Sequence, residues 1–321
     1  MFAPSKTKTM LDPVVLFFVL GALAGLLKSD LKVPESFYNV LSIYLLMAIG
    51  IKGGIELQKA GVNHIIIPGF CTILLGLVVT GLAYFIAKKL SKLSLEDATA
   101  VAAHYGSVSA VTFAVAISFL KSKGVAYEEY MTVLLVLLEI PAIAAAIGYY
   151  KLKTRNESFN LKKLVHEIFL GKSILLLTGG LLIGMYIQFS GNSQLNFFFF
   201  DLFKGFLAIF MLEMGIIASK RIEDLKKAGV KILSFGIIMP LIAGTIGVIT
   251  GKLCGLSVGG CTVLGTMSAS ASYIAAPAAV QIAIPKANPT LYLTSALGVT
   301  FPFNLLIGIT LFYQLSLLIN F

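Results

Sequence analysis

Apolar runs of roughly 18–25 residues follow one another along the whole chain, and each can cross about 30 Å of hydrocarbon. Inside a bilayer no water satisfies the backbone, so runs of this kind are confined to helices that satisfy their own amides and carbonyls. Hydrophobic residues make up 58% of the 321 and charged residues only 12%, too few polar groups to cover a soluble domain of this size. The sequence therefore predicts an all-α polytopic membrane protein. Spans are expected near 13–27, 36–57, 64–87, 95–119, 129–150, 167–189, 197–217, 230–251, 256–283 and 289–320. The first of these is expected to remain in the mature chain, because its apolar run ends at Lys28 with no small-residue cleavage pattern.

The net charge of +10 does not point to nucleic acid, because the lysines and arginines lie between the apolar runs, without interleaved aromatics. About two thirds of the 25 basic residues fall on one side of a ten-span topology, the side of the interval 151–166. That side is expected to be cytoplasmic, with both termini outside and the protein in the cell (inner) membrane. The interval divides the chain into two five-helix halves, 1–150 and 167–321.

The halves resemble each other. One offset aligns Ser107 with Ser268, Ser109 with Ser270, Ala110 with Ala271 and Pro141 with Pro302. At slightly different offsets, the Lys-Ala-Gly-Val run at 59–62 matches that at 227–230, and Gly50 matches Gly215. An odd number of spans per repeat forces the two repeats to sit upside down relative to each other, as in many secondary transporters.

The fourth and ninth spans are rich in small hydroxyl residues: Gly106, Ser107, Ser109 and Thr112 in one, Ser268, Ser270 and Ser272 in the other, followed by Pro277. Paired helix breaks are expected there. Freed amides at a half-helix N-terminus favour an anion, while freed carbonyls and hydroxyls favour Na⁺. Taken singly, either segment reads equally as close helix packing. Glu139 lies inside an apolar run just before Pro141 and is a candidate ion or proton site. Glu213 is expected nearer a span end, snorkelling or bonded to a neighbouring helix. His104 is expected to be a packed, hydrogen-bonded residue, and Cys71, Cys254 and Cys261 to be packing residues without a disulfide framework. Tyr127 to Tyr130 and the Phe197–Phe200 run are expected to be span starts with aromatic belts. No catalytic motif is present, so an enzyme is not expected.

The stretch Gly106-Ser107-Val108-Ser109 to Thr112, then Tyr127-Glu128, then Glu139-Ile140-Pro141-Ala142, resembles the sodium-dependent bicarbonate permeases. The second half agrees in Ser270-Ala271-Ser272, Pro277 and Ile284-Pro285-Lys286-Ala287-Asn288-Pro289, and Ile49 to Gly54 fits as well. The resemblance implies ten spans in two inverted repeats, a mobile core against a gate, and a homotrimer. It implies one bicarbonate held between crossing broken helices with Na⁺ as coupling ion, no other cofactor, and regulation by a PII-like protein. Substrate candidates are Gly106, Ser107, Ser109, Ser268, Ser270 and Ser272; ion-site candidates are Thr112, Glu139 and Tyr273. The chain departs from the family pattern at Tyr273 and Glu139, where aspartates are expected, at Ala271, where a serine is expected, and at Val111, which has lost a hydroxyl. The alternatives are the same fold carrying another small anion or an organic acid with H⁺ coupling, or a membrane receptor or scaffold that does not transport.

Overall fold

The computed structural model describes residues 12–154, 162, 166, 170–186 and 194–320. Most of the expected linker at 151–166 lies outside the described residues. The chain is all-helical, with no strand among the described residues. The helices are α1 (Pro13–Leu26), α2 (Glu35–Ala60), α3 (Ile66–Lys89), α4 (Leu95–Gly106), α5 (Ala110–Lys123), α6 (Met131–Thr154), α7 (Lys172–Tyr186), α8 (Phe203–Ala228), α9 (Val230–Leu253), α10 (Val258–Ser268), α11 (Ala275–Ala283) and α12 (Pro289–Ile319).

Among the described residues seven helical stretches are long and apolar enough to cross a membrane, α4 and α5 counting together as one stretch from Leu95 to Lys123. Among the described residues three apolar helices are shorter: α1, α7 and α10, described over 14, 15 and 11 residues. A 14-residue helix rises only about 21 Å, so α1 covers about two thirds of a hydrocarbon core. The expectation of ten spans therefore meets seven full-length candidates and three short apolar helices.

Two helix pairs are closed by small residues at i, i+4 spacing, a pattern that lets backbones touch in a membrane. On α1, Gly21 rests against the Leu212 carbonyl and Gly25 against Ser219, while Gly215 on α8 rests against the Phe18 carbonyl. On α2, Gly50 meets Gly180, and Gly54 lies against the Leu181 carbonyl. Gly184 on α7 meets the Ile51 carbonyl. A Cβ at any of these positions would collide with backbone or with a buried side chain.

The corners after α2 and α8 are built alike. Gly61 (φ 77°) and Gly229 (φ 82°) end the two helices in a conformation that L side chains rarely adopt, and each amide bonds back to the carbonyl four residues earlier. These are the glycines of the two Lys-Ala-Gly-Val runs.

One expectation changes on contact with the fold. Glu213 lies in the middle third of α8, 7% exposed, with Oε2 unpartnered, so it neither snorkels nor bonds a neighbouring helix through that oxygen. Just before the stretch that starts at Met131, Glu128 Oε1 accepts the Ser257 amide hydrogen at 2.5 Å and caps the start of α10, beside Gly260. The Phe197–Phe200 run lies near the start of the apolar stretch Gln194–Lys226 and winds into a π-type turn whose Phe198 carbonyl accepts the Tyr44 hydroxyl, with Phe199 stacked on the Tyr44 ring. Sequence distance also hid one neighbour pair, since the free thiols of Cys71 and Cys254 approach each other across α3 and the end of α9.

Candidate functional site

The fourth apolar stretch breaks at Ser107-Val108-Ser109, between α4 and α5, and the ninth breaks from Ala269 to Ile274, between α10 and α11. Local chemistry explains both breaks. Ser109 caps α5 by accepting the Thr112 amide at 3.1 Å, and Ser272 takes the Ala276 amide at 3.2 Å. Pro277 sits in the first turn of α11, where a missing amide hydrogen costs nothing and a helix continuing from upstream is excluded.

The two breaks touch. The Ser109 amide donates to Ser270 Oγ at 2.9 Å, and Ser270 Oγ donates in turn to the Met267 carbonyl at 2.7 Å. The Ser272 amide donates to the His104 carbonyl at 2.8 Å. Two half-helix N-termini, those of α5 and α11, thus start at one crossing, and two C-termini, those of α4 and α10, end there. The amides of Ala110 and Val111 have no acceptor within α5. Their partial positive charge suits an anion, while nearby carbonyls and hydroxyls suit a hard cation.

Beside the crossing lies a cavity of about 10 Å³ walled by Ser109, Glu139, Ser173, Ser272 and Tyr273 together with the 108, 110 and 274 side chains. It has room for about one water-sized guest. Glu139 is 4% exposed and makes no ion pair with any described residue. The Tyr273 hydroxyl is buried, points towards the Ser109 side chain and makes no hydrogen bond of normal geometry. An unpaired carboxylate, a phenol and three serine hydroxyls form an all-oxygen donor set. Among the described residues no three His, Cys, Asp or Glu side chains gather.

Of the residues singled out in the sequence, the structure brings Ser109, Ser272, Glu139 and Tyr273 to one cavity and joins Ser270 to Ser109. Gly106 and Ser268 have other surroundings: Gly106 admits Thr80 against its backbone, and Ser268 Oγ turns back to the Leu264 carbonyl beside Gly247. Ser107 Oγ and Thr112 Oγ1 are buried without partners, outside this cavity. His104 is fully buried, its Nδ1 on the Ala100 carbonyl at 2.7 Å and its ring stacked on Tyr292.

A family model described as the Na⁺-dependent bicarbonate transporter superfamily matches residues 13–317. The chain belongs to that superfamily. No curated relative matches it. Membership makes this a transporter-family membrane protein, with bicarbonate and Na⁺ as the solutes the superfamily is named for. The matched stretch contains both breaks, the cavity and every residue named at the crossing.

Two further residues of this Na⁺-dependent bicarbonate transporter superfamily member escaped the sequence reading. Ser173, near the start of α7, brings a hydroxyl to the cavity from the other half of the chain. Asn304 is fully buried in α12, and its Nδ2 donates to the Ala269 carbonyl at 2.8 Å, holding the frayed end of α10. An asparagine inside an apolar run was visible as a signal; Ser173 looked like any serine at a span start.

Proposed function

We propose that the protein is a secondary active transporter that couples bicarbonate uptake to Na⁺, with the anion at the α4–α5/α10–α11 crossing and the cation in the adjoining cavity. The observation that carries this reading is Glu139 in that cavity. A buried carboxylate without a basic partner needs a cation or a proton beside it. The anion takes the Ala110 and Val111 amides and the Ser272 hydroxyl, while Ser270, its proton held by the Met267 carbonyl, positions Ser109. No arginine lines the crossing or the adjoining cavity, so backbone donors and half-helix dipoles carry the recognition.

We read the fold as ten crossings in two inverted repeats, 1–150 and 167–321, moving by alternating access. Three features support this: the matched breaks, the matched glycine corners, and the glycine seams. Gly21 and Gly25 align with Gly180 and Gly184 at one offset, and Gly50 and Gly54 align with Gly215 and Ser219 at another. Each seam thus joins the first helix of one half to the second helix of the other. Both termini outside, a homotrimer, and a PII-like regulator at the 151–166 linker belong to the same proposal, as do Gly106, Ser107, Ser268 and Thr112 as secondary contributors.

A second reading has one observation in its favour. Tyr273 stands where a carboxylate is expected, leaving Glu139 as the cavity's one ionisable acid and a natural proton carrier. One experiment decides between them: labelled-bicarbonate uptake into proteoliposomes under an inward Na⁺ gradient, an inward H⁺ gradient, or neither. Uptake only with Na⁺ supports symport with sodium. Uptake that ignores Na⁺ and follows pH supports proton coupling. No uptake under any gradient rejects bicarbonate as the solute.

A further inference from the structure

Above the crossing lies a larger cavity, about 130 Å³, bounded by α2, α5, the loop at 124–130 and the turn Phe197–Asp201. Lys52 and Lys121 both line it. Lys52 Nζ donates to the Tyr127 hydroxyl at 3.3 Å and pairs with Glu56 Oε1 at 3.4 Å, its side chain one-third exposed. Lys121 neighbours the Lys52 ammonium and feels the charges of Glu56 and Lys204, and among the described residues no carboxylate lies within ion-pair distance of it. Two lysines against one glutamate leave the cavity net positive. Its remaining wall includes Phe113, Phe199 and Phe203, apolar surface that strengthens the field between the ammonium groups.

The cavity and the crossing are separated only by shared walls. Ile49 and Ala114 line both the larger cavity and a small apolar cavity beneath, and Ala110 and Ile274 line both that cavity and the one at Glu139. We infer that Lys52 and Lys121 form an anion-collecting vestibule, a shallow site for a small oxyanion on its way to the crossing. Two ammonium groups held together repel each other, and an anion between them relieves that repulsion. With about 30 Å³ per water, the space holds an oxyanion that keeps part of its hydration. The vestibule's part in uptake rests on the transport reading above; its anion binding does not.

The test uses the full-length protein and two readouts. The first is the concentration dependence of labelled-bicarbonate uptake in proteoliposomes; the second is broadening of the ¹³C-bicarbonate NMR line by detergent-purified protein. Lys121→Met raises KM roughly fivefold with Vmax within twofold, and the loss disappears at high salt, where the wild-type KM rises to meet it. The broadening falls in parallel, and Lys121→Arg restores both. A Lys121→Met protein with wild-type KM and wild-type broadening overturns the vestibule and leaves the transport reading standing. Lys121-dependent broadening in a protein that takes up no bicarbonate under any gradient supports the vestibule and rejects the transport reading. Lys121→Arg also guards against misfolding, because a collapse of the fold by Lys121→Met would lower Vmax as well.

Discussion

The backbone amide of Ser109 donates to the hydroxyl of Ser270, and the two residues are 161 positions apart, the same offset that aligns the two serine-rich segments. A residue can touch its own counterpart only close to the axis that relates the two copies. The contact therefore sits where the proposed repeats meet, at the crossing where solute and ion are placed. It is also a structural bond, since it satisfies an amide that the broken helix leaves free.

Ser270→Ala leaves the Ser109 amide buried and unpaired, at a cost of about 1–3 kcal/mol. Thermal unfolding of the purified variant should fall accordingly, with uptake reduced, whereas Ser270→Leu should abolish uptake by filling the crossing. A Ser270→Ala protein that melts with the wild type would show that water replaces the hydroxyl.

Glu139→Gln keeps the shape of the cavity and removes its charge. The Na⁺ response of uptake should drop more than tenfold at limiting Na⁺, on the scale expected for losing a charged oxygen ligand. Glu139→Asp, one methylene shorter, should keep part of it. Full Na⁺ stimulation in Glu139→Gln would remove this carboxylate from the ion site.

Tyr273 makes opposite predictions for two substitutions. Tyr273→Phe removes one oxygen from the cavity and should raise the Na⁺ concentration for half-maximal uptake by roughly twofold to fivefold. Tyr273→Asp supplies a second carboxylate and should lower it. Equal effects from both changes would mean that the ring fills space and the hydroxyl contributes nothing.

Gly184→Val drives a branched side chain into the Ile51 carbonyl and should destabilise the α2–α7 seam by about 1–3 kcal/mol or more. Gly81→Ala, with no atom within 4 Å of the added Cβ, is the control and should stay within about 0.5 kcal/mol of the wild type. Thermal melts of both proteins in the same detergent provide the comparison.

Glu128→Ala uncaps α10 at Ser257 and should lower stability by about 0.5–2 kcal/mol. Hydrogen exchange at the Ser257–Gly260 amides should rise in step. Unchanged protection there would mean that Ser257, whose own hydroxyl holds the Gly260 amide at 3.1 Å, caps the helix alone.

Much of the helical layout was legible in the chain because the bilayer leaves few options. A long apolar run must be a helix, and its ends fall where lysines, prolines and glycines collect. The breaks were legible for the same reason: Ser109 and Pro277 are local signals, a cap and a residue that cannot continue a ladder. Glu139 was visible because a carboxylate inside an apolar run is costly.

What the sequence could not decide was which of these residues meet. Ser268 and Ser270 differ by two positions, yet one hydroxyl turns back onto its own helix and the other crosses to Ser109. Helix rotation and the path of the break set that difference, and both depend on neighbours far along the chain. Ser173 reaches the Glu139 cavity, and Lys52 and Lys121 share a vestibule, only because glycine seams bring α7 and α2 together and the Glu128 cap ties the 124–130 loop to α10. Composition and local capping fixed the helices and their breaks, since those energies act within a few residues. The sites depended on contacts between distant segments, which only close packing in three dimensions determines.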